Sequence, residues 1–175
     1  DSLMDAIAEV YASVFSPDPI EYRRERGLIN FHEEMGIMIQ EVIGTRVGRY
    51  FFPAFSGVAF SNNDYRWSPR IRREDGLMRL VPGLGTRAVD RLADDYPRLV
   101  APGQPGLNVN TTIDEILYYS PRQIDVIDLE QGSFTTVEFR KLLREAGNKY
   151  PNIENIVSVH QDGILRRKNK LSLNF

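Results

Sequence analysis

The residues of this chain that could do chemistry gather at one short turn. An apolar run, Leu77-Met78-Arg79-Leu80-Val81, meets a Pro82-Gly83 break. Gly83-Leu84-Gly85 follows, then Thr86, then a mixed apolar and charged segment from Arg87 to Ala93. This reads as a buried strand feeding a tight glycine turn. Glycine admits positive φ and leaves backbone amides bare, so a ligand such as a phosphate can come close to them. An ordinary strand-to-helix turn has the same pattern, and the turn alone does not choose between the two.

Two other groups could join it. Arg23 lies with Tyr22, Arg24 and Arg26 on a helix that starts at Asp18-Pro19 and stops near Gly27. Either the arginines form a solvated face, or Arg23 points at an anion. Gln40 and Glu41, followed by Val42, close an apolar, β-branched run from Gly36 to Val42, which reads as a buried strand. Polar residues at the end of such a strand either face a cleft or meet solvent.

Composition removes several chemistries. The chain has 175 residues, enough for one domain with a real core, and no cysteine, which excludes disulfides and thiolate chemistry. Lack of cysteine fits a cytoplasmic setting. His32 and His160 are too far apart in sequence to suggest a histidine-based metal site. The net charge of −2 gives no global attraction to nucleic acid. Arg66, Trp67, Arg70, Arg72 and Arg73 could form a local patch, but Glu74-Asp75 dilute it, and the stretch reads as an exposed hairpin tip. Arginine supplies every formal side-chain cation before Lys141, so phosphate chemistry that needs an earlier lysine is excluded. No apolar run is long enough to span a bilayer. The chain opens on Asp1, which suggests a fragment or a processed product.

The elements that must position these residues are legible in outline. Ser2 to Phe15 reads as an amphipathic helix with Ser2 and Asp5 as a capping box. Tyr50 to Ser61 reads as a strand region, in which Pro53 and Gly57 predict a bulge or two pieces. Asp94 to Arg98 and the Pro/Gly-rich Ala101 to Gly106 form a long connection. Beyond it, Asp125 to Leu129 and Ser133 to Phe139 form a hairpin around Glu130-Gln131-Gly132. Arg140 to Ala146 is a helix capped by Gly147, and Ile153 to Val159 is a strand that returns after Gln161-Asp162-Gly163. Arg166 to Lys170 is a basic, solvated tail. The expected organisation is a core segment over 1–110 and a C-terminal αβ subdomain over 111–175 of the same domain.

The order of the signals is distinctive: Tyr22-Arg23 through Gly27, Ile39-Gln40-Glu41-Val42, Ser56-Gly57-Val58-Ala59-Phe60-Ser61, then Gly83-Leu84-Gly85. It resembles the nucleotide-binding domain of the phosphoenolpyruvate synthase and pyruvate phosphate dikinase family, from about Ser2 to Thr86 and more loosely to Tyr96. The resemblance implies an ATP-grasp-like α+β fold, here a partial domain, with a mainly antiparallel sheet and packed helices. It implies that Gln40, Glu41 and Val42 meet the adenine edge of ATP, and that Gly83, Gly85 and Thr86 lie beside the phosphates, with Arg23 as a further contact. In such enzymes ATP phosphorylates a histidine on a separate domain, which passes the group to pyruvate. The chain would thus be a fragment of an ATP-dependent phosphotransferase, inactive alone, whose partners are a nucleotide and other domains of its parent. The alternative is a degenerate nucleotide-binding or regulatory module. Thr86 stands where the family usually has an acidic residue, and no carboxylate lies on the strand from Leu77 to Val81. Both departures put a magnesium site in question. His160 reads as a surface or packed histidine, with no obvious carrier motif around it.

Overall fold

The computed structural model describes residues 2–89 and 95–167. Asp1, the end of the charged segment after the glycine turn, Asp94 and the tail from Lys168 onward lie outside the described residues. The chain divides into two compact units, Asp1–Val42 and Ile43–Phe175.

The first unit holds two helices, α1 (Ser2–Ser13) and α2 (Pro17–Glu25), and neither has a buried residue. Ser16, in extended conformation, takes the N-cap position of α2, and its side chain makes no capping hydrogen bond. Asp18 therefore sits in the first turn and is not the cap. Pro17 costs nothing at the helix start, because its missing N–H would have had no intrahelical acceptor there. The strand expected from Gly36 to Val42 does not form. Residues 32–44 have no regular structure, and Met38 and Ile39 are 79% and 64% exposed. A β-branched run becomes a strand only when a ladder partner satisfies its backbone and covers one face. Among the described residues, nothing pairs with this run.

The second unit is α+β with antiparallel sheets. Its elements are β1 (Thr45–Val47), β2 (Tyr50–Phe52), β3 (Phe55–Phe60), β4 (Leu77–Pro82), α3 (Thr86–Val89), β5 (Arg98–Val100), α4 (Ile113–Tyr118), β6 (Gln123–Asp128), β7 (Ser133–Glu138), α5 (Phe139–Ala146), α6 (Ile153–Ile156), β8 (Ser158–Gln161) and β9 (Ile164–Arg167). They form a four-stranded sheet ordered β1-β2-β6-β7, a three-stranded sheet ordered β3-β4-β5, and the ribbon β8-β9. The region from Tyr50 to Ser61 is two strands, and they belong to different sheets. Pro53 lies between them, where it costs no ladder hydrogen bond.

The core lies under the four-stranded sheet. Phe52, Ile124 and Val126 meet Leu142, Leu143 and Ala146 of α5, with Tyr150 and Ile153 closing the far side. Each large apolar side chain fully removed from water contributes roughly 1.5–3 kcal/mol. Apolar residues at 142, 143 and 146 occupy one face of α5, and Gly147 ends it at φ 54°. The stretch expected as a strand from Ile153 to Val159 opens instead as the short helix α6, and only Ser158 onward is extended. The hairpin over β6 and β7 forms as expected, with Asp128 opposite Ser133. The β3–β4 connection is not an open tip: Ile71 and Asn63 are buried, and Asn63 is held by the carbonyl of Arg73 at 2.7 Å.

Candidate functional site

β4 ends at Pro82, and Gly83 then makes an isolated parallel bridge to Asp125 of β6. The Leu84 amide donates to the Asp125 carbonyl at 2.9 Å. The glycine turn is thus stitched to the middle of the other sheet. Gly83 has φ +70°, and a Cβ there would stand 2.4 Å from Ile124 Cγ1 and 2.5 Å from the Asp125 carbonyl oxygen. The close approach of strand β6 by itself requires glycine at Gly83. Gly85 is different: a Cβ would meet only Ser56 Cβ at 3.4 Å and the Gly57 nitrogen at 3.9 Å. Among the described residues, the Gly85 N–H makes no backbone hydrogen bond. This amide remains open on the turn.

Thr86 begins the short helix α3 and turns its hydroxyl to the Asp125 carboxylate, donating to Oδ2 at 2.5 Å. Thr136 of β7 donates to Oδ1 at 2.7 Å. Arg87 brings Nη1 to 3.7 Å from the same Oδ1 and Nε to 3.4 Å from Asp95 Oδ2. Asp95 in turn accepts the backbone amides of Arg122 and Gln123 at 2.8 and 2.9 Å. Asp125, Asp95 and Arg87 are 3%, 7% and 8% exposed. A buried carboxylate is tolerated only when paired and hydrogen-bonded, and Asp125 has both. The turn therefore does carry a carboxylate, supplied by a strand 39 residues later. Sequence reading placed Asp125 on a strand and gave it no role. The available signal was an acid set between the apolar residues Ile124 and Val126 of a strand.

A second buried acid closes the β6–β7 hairpin. Asp128 accepts the Arg49 Nε at 2.9 Å and the amides of Glu130 and Gln131 at 3.0 and 3.2 Å. The Arg49 guanidinium, aided by those two amides, holds the Asp128 carboxyl below the usual carboxylate range.

The remaining candidates lie in the first unit. Gln40, Glu41 and Val42 are exposed, and among the described residues no backbone hydrogen bond engages them. Their amides and carbonyls are free to meet a heterocycle edge. Arg23 donates Nη2 to the Val14 carbonyl at 2.8 Å, tying α2 back to the end of the preceding helical segment. Among the described residues, no group of three or more His, Cys, Asp or Glu is placed to hold a metal ion. No described helix is long and apolar enough to cross a membrane.

The family model of the pyruvate phosphate dikinase AMP/ATP-binding domain covers residues 1–158. No curated protein and no solved structure matches the chain.

Proposed function

The chain belongs to the pyruvate phosphate dikinase AMP/ATP-binding domain family, and from that premise we propose that it contributes the adenine side of an ATP site to a phosphotransferase resembling phosphoenolpyruvate synthase. In this reading Gln40, Glu41 and Val42 hydrogen-bond the adenine edge through backbone and side chain. Gly83, Gly85 and Thr86 lie on the phosphate side, with Arg23 as a further cationic contact. The observation that carries the reading is the exposed segment 40–42, whose backbone polar groups have no partner among the described residues. Adenine recognition needs a donor and an acceptor side by side on one extended segment, and this one offers both. The phosphoryl acceptor is assigned to other domains of the parent protein.

A second reading, nucleotide binding without transfer, is favoured by one specific arrangement. Both oxygens of Asp125 already serve Thr86 and Thr136, with Arg87 alongside. That carboxylate braces the turn, which leaves it poorly placed to serve magnesium.

Calorimetric titration of the chain and its full-length parent with ATP, ADP and GTP, each with and without magnesium, tests both readings. Adenine nucleotides are expected to bind the parent more tightly than GTP. Magnesium-dependent binding with turnover selects the first reading, and magnesium-independent binding without turnover selects the second. Absence of saturable binding to either protein removes both.

A further inference from the structure

The second unit holds a cleft of about 620 Å³ that includes none of the residues assigned to the nucleotide. It lies against the three-stranded sheet, where Arg79 of β4 sits beside Leu99 of β5. It is lined by Tyr65, Tyr96 and Tyr119, and also by Arg98 and Glu115.

Arg79 is the anomaly in this cleft. It is half-buried on the middle strand of its sheet, yet among the described residues it has no hydrogen-bond or ion-pair partner. A guanidinium carries five donors, and within the described residues those of Arg79 are claimed by no acceptor. Two other charged groups of the cleft are already engaged. Arg98 donates to Asn108 Oδ1 at 3.1 Å. Glu115 accepts the amides of Thr111 and Thr112 at 3.0 and 3.1 Å, as the capping box of α4. That carboxylate is oriented by the helix start, and no ion pair joins it to Arg79 among the described residues. The rings are fixed by one another: Tyr96 and Tyr119 meet edge to face at 5.0 Å, and Tyr65 leans on Trp67 at 6.2 Å. Trp67 is pinned in turn by its Nε1 bond to the Leu107 carbonyl at 2.7 Å. The tyrosines stay partly exposed, so their surfaces are available to a ligand.

We propose that this cleft binds a small organic anion, a flat ring bearing a phosphate or carboxylate, with the anionic end on Arg79 and the ring between Tyr65, Tyr96 and Tyr119. Arginine matches the oxygens of either group bidentately, and rigid tyrosines cover a flat ring with little loss of side-chain freedom. The volume falls within the roughly 300–1,000 Å³ usual for small-molecule sites.

The test is a titration of the chain with phenyl phosphate and with benzoate, followed by tryptophan fluorescence and the tyrosine ring resonances. Phenol and inorganic phosphate serve as the separate halves. The two-part anions are expected to saturate, with each half binding at least about ten-fold more weakly. Arg79→Gln should weaken the anions by about ten-fold or more and leave phenol unchanged, with Arg79→Lys between the two. Should Arg79→Gln not fold, Tyr119→Ala, at a partly exposed ring, should weaken the anions several-fold. No saturation by either anion overturns the proposal, as does equal binding by Arg79→Gln. ATP separates this site from the nucleotide reading. If ATP competes with phenyl phosphate and loses affinity equally in Arg79→Gln, the cleft is part of the nucleotide site and the separate site fails. ATP binding unchanged in Arg79→Gln supports it.

Discussion

Thr86 donates its hydroxyl proton to the buried carboxylate of Asp125, which also anchors the glycine turn through its carbonyl. One residue of β6 therefore fixes both the backbone and the first side chain of the turn. A ligand group brought to Gly85 meets a surface whose shape is set from the other sheet.

This relationship predicts a coupling. Thr86→Val keeps the side-chain shape and removes one hydrogen bond to a charged group, at a cost of about 1.5–3 kcal/mol. Asp125→Ala removes the partner of Thr86, Thr136 and Arg87 together and should cost about 3–5 kcal/mol. Denaturant titrations of both single variants and the double variant should give an interaction energy of about 0.5–3 kcal/mol. Strict additivity would mean that the hydroxyl and the carboxylate act independently.

The two glycines of the turn should behave differently. Gly83→Ala places a methyl at positive φ and against Ile124 and Asp125, costing about 1–2 kcal/mol for conformation and about 1–3 kcal/mol for overpacking. Gly85→Ala meets only ordinary contacts and should cost about 1 kcal/mol or less. Its effect should show in nucleotide affinity, since the methyl lies beside the open amide. Equal melting temperatures for the two variants would contradict the packing argument.

Asp128 should contribute to the acid limb of stability. Its carboxyl is held below its ordinary value of 3.8, chiefly by the hydrogen bond from Arg49. The folded state thus releases this proton more readily than the unfolded chain. The stabilisation is fully present above the ordinary value and is lost as pH falls through the lower, folded value. Arg49→Met should be less stable than the parent at neutral pH, and the gap should shrink in acid. A gap that stays constant from pH about 7 to about 2 would place the effect of Arg49 in packing alone.

Tyr150 should contribute to the alkaline limb. Burial pushes its phenol well above the ordinary value of 10.0, and its hydroxyl donates to the Ala54 carbonyl at 2.7 Å. Above pH about 10 the unfolded chain releases this proton while the folded chain keeps it, so stability should fall as pH rises. Tyr150→Phe should cost about 0.5–1.5 kcal/mol at neutral pH and flatten that fall. An unchanged alkaline slope in the variant would assign it to other tyrosines.

Local signals in the chain decided most of the local structure. Gly147 marked the end of α5, because a glycine acts on its own backbone, whereas the start of α2 was read two residues late, at Asp18-Pro19 in place of Ser16-Pro17. The Leu77 strand, the glycine turn and the hairpin around Gly132 were legible for the same reason. The run from Gly36 to Val42 was misread because strand formation depends on a partner that the run itself does not contain. Ile153 to Ile156 went the other way, into a helix, because an apolar run of four has no period that separates strand from helix.

By itself, then, the sequence determined the family, the α+β class and the placing of a glycine turn after an apolar strand. Each of these rests on short local motifs and, for the family, on their order along the chain. Tertiary structure alone decided what the turn is made of. Gly83 answers to Ile124, Thr86 to Asp125, and Arg87 to both Asp95 and Asp125. The carboxylate absent from the turn's own strand arrives from β6, since pairing and burial compare residues by distance in space, and separation along the chain does not enter.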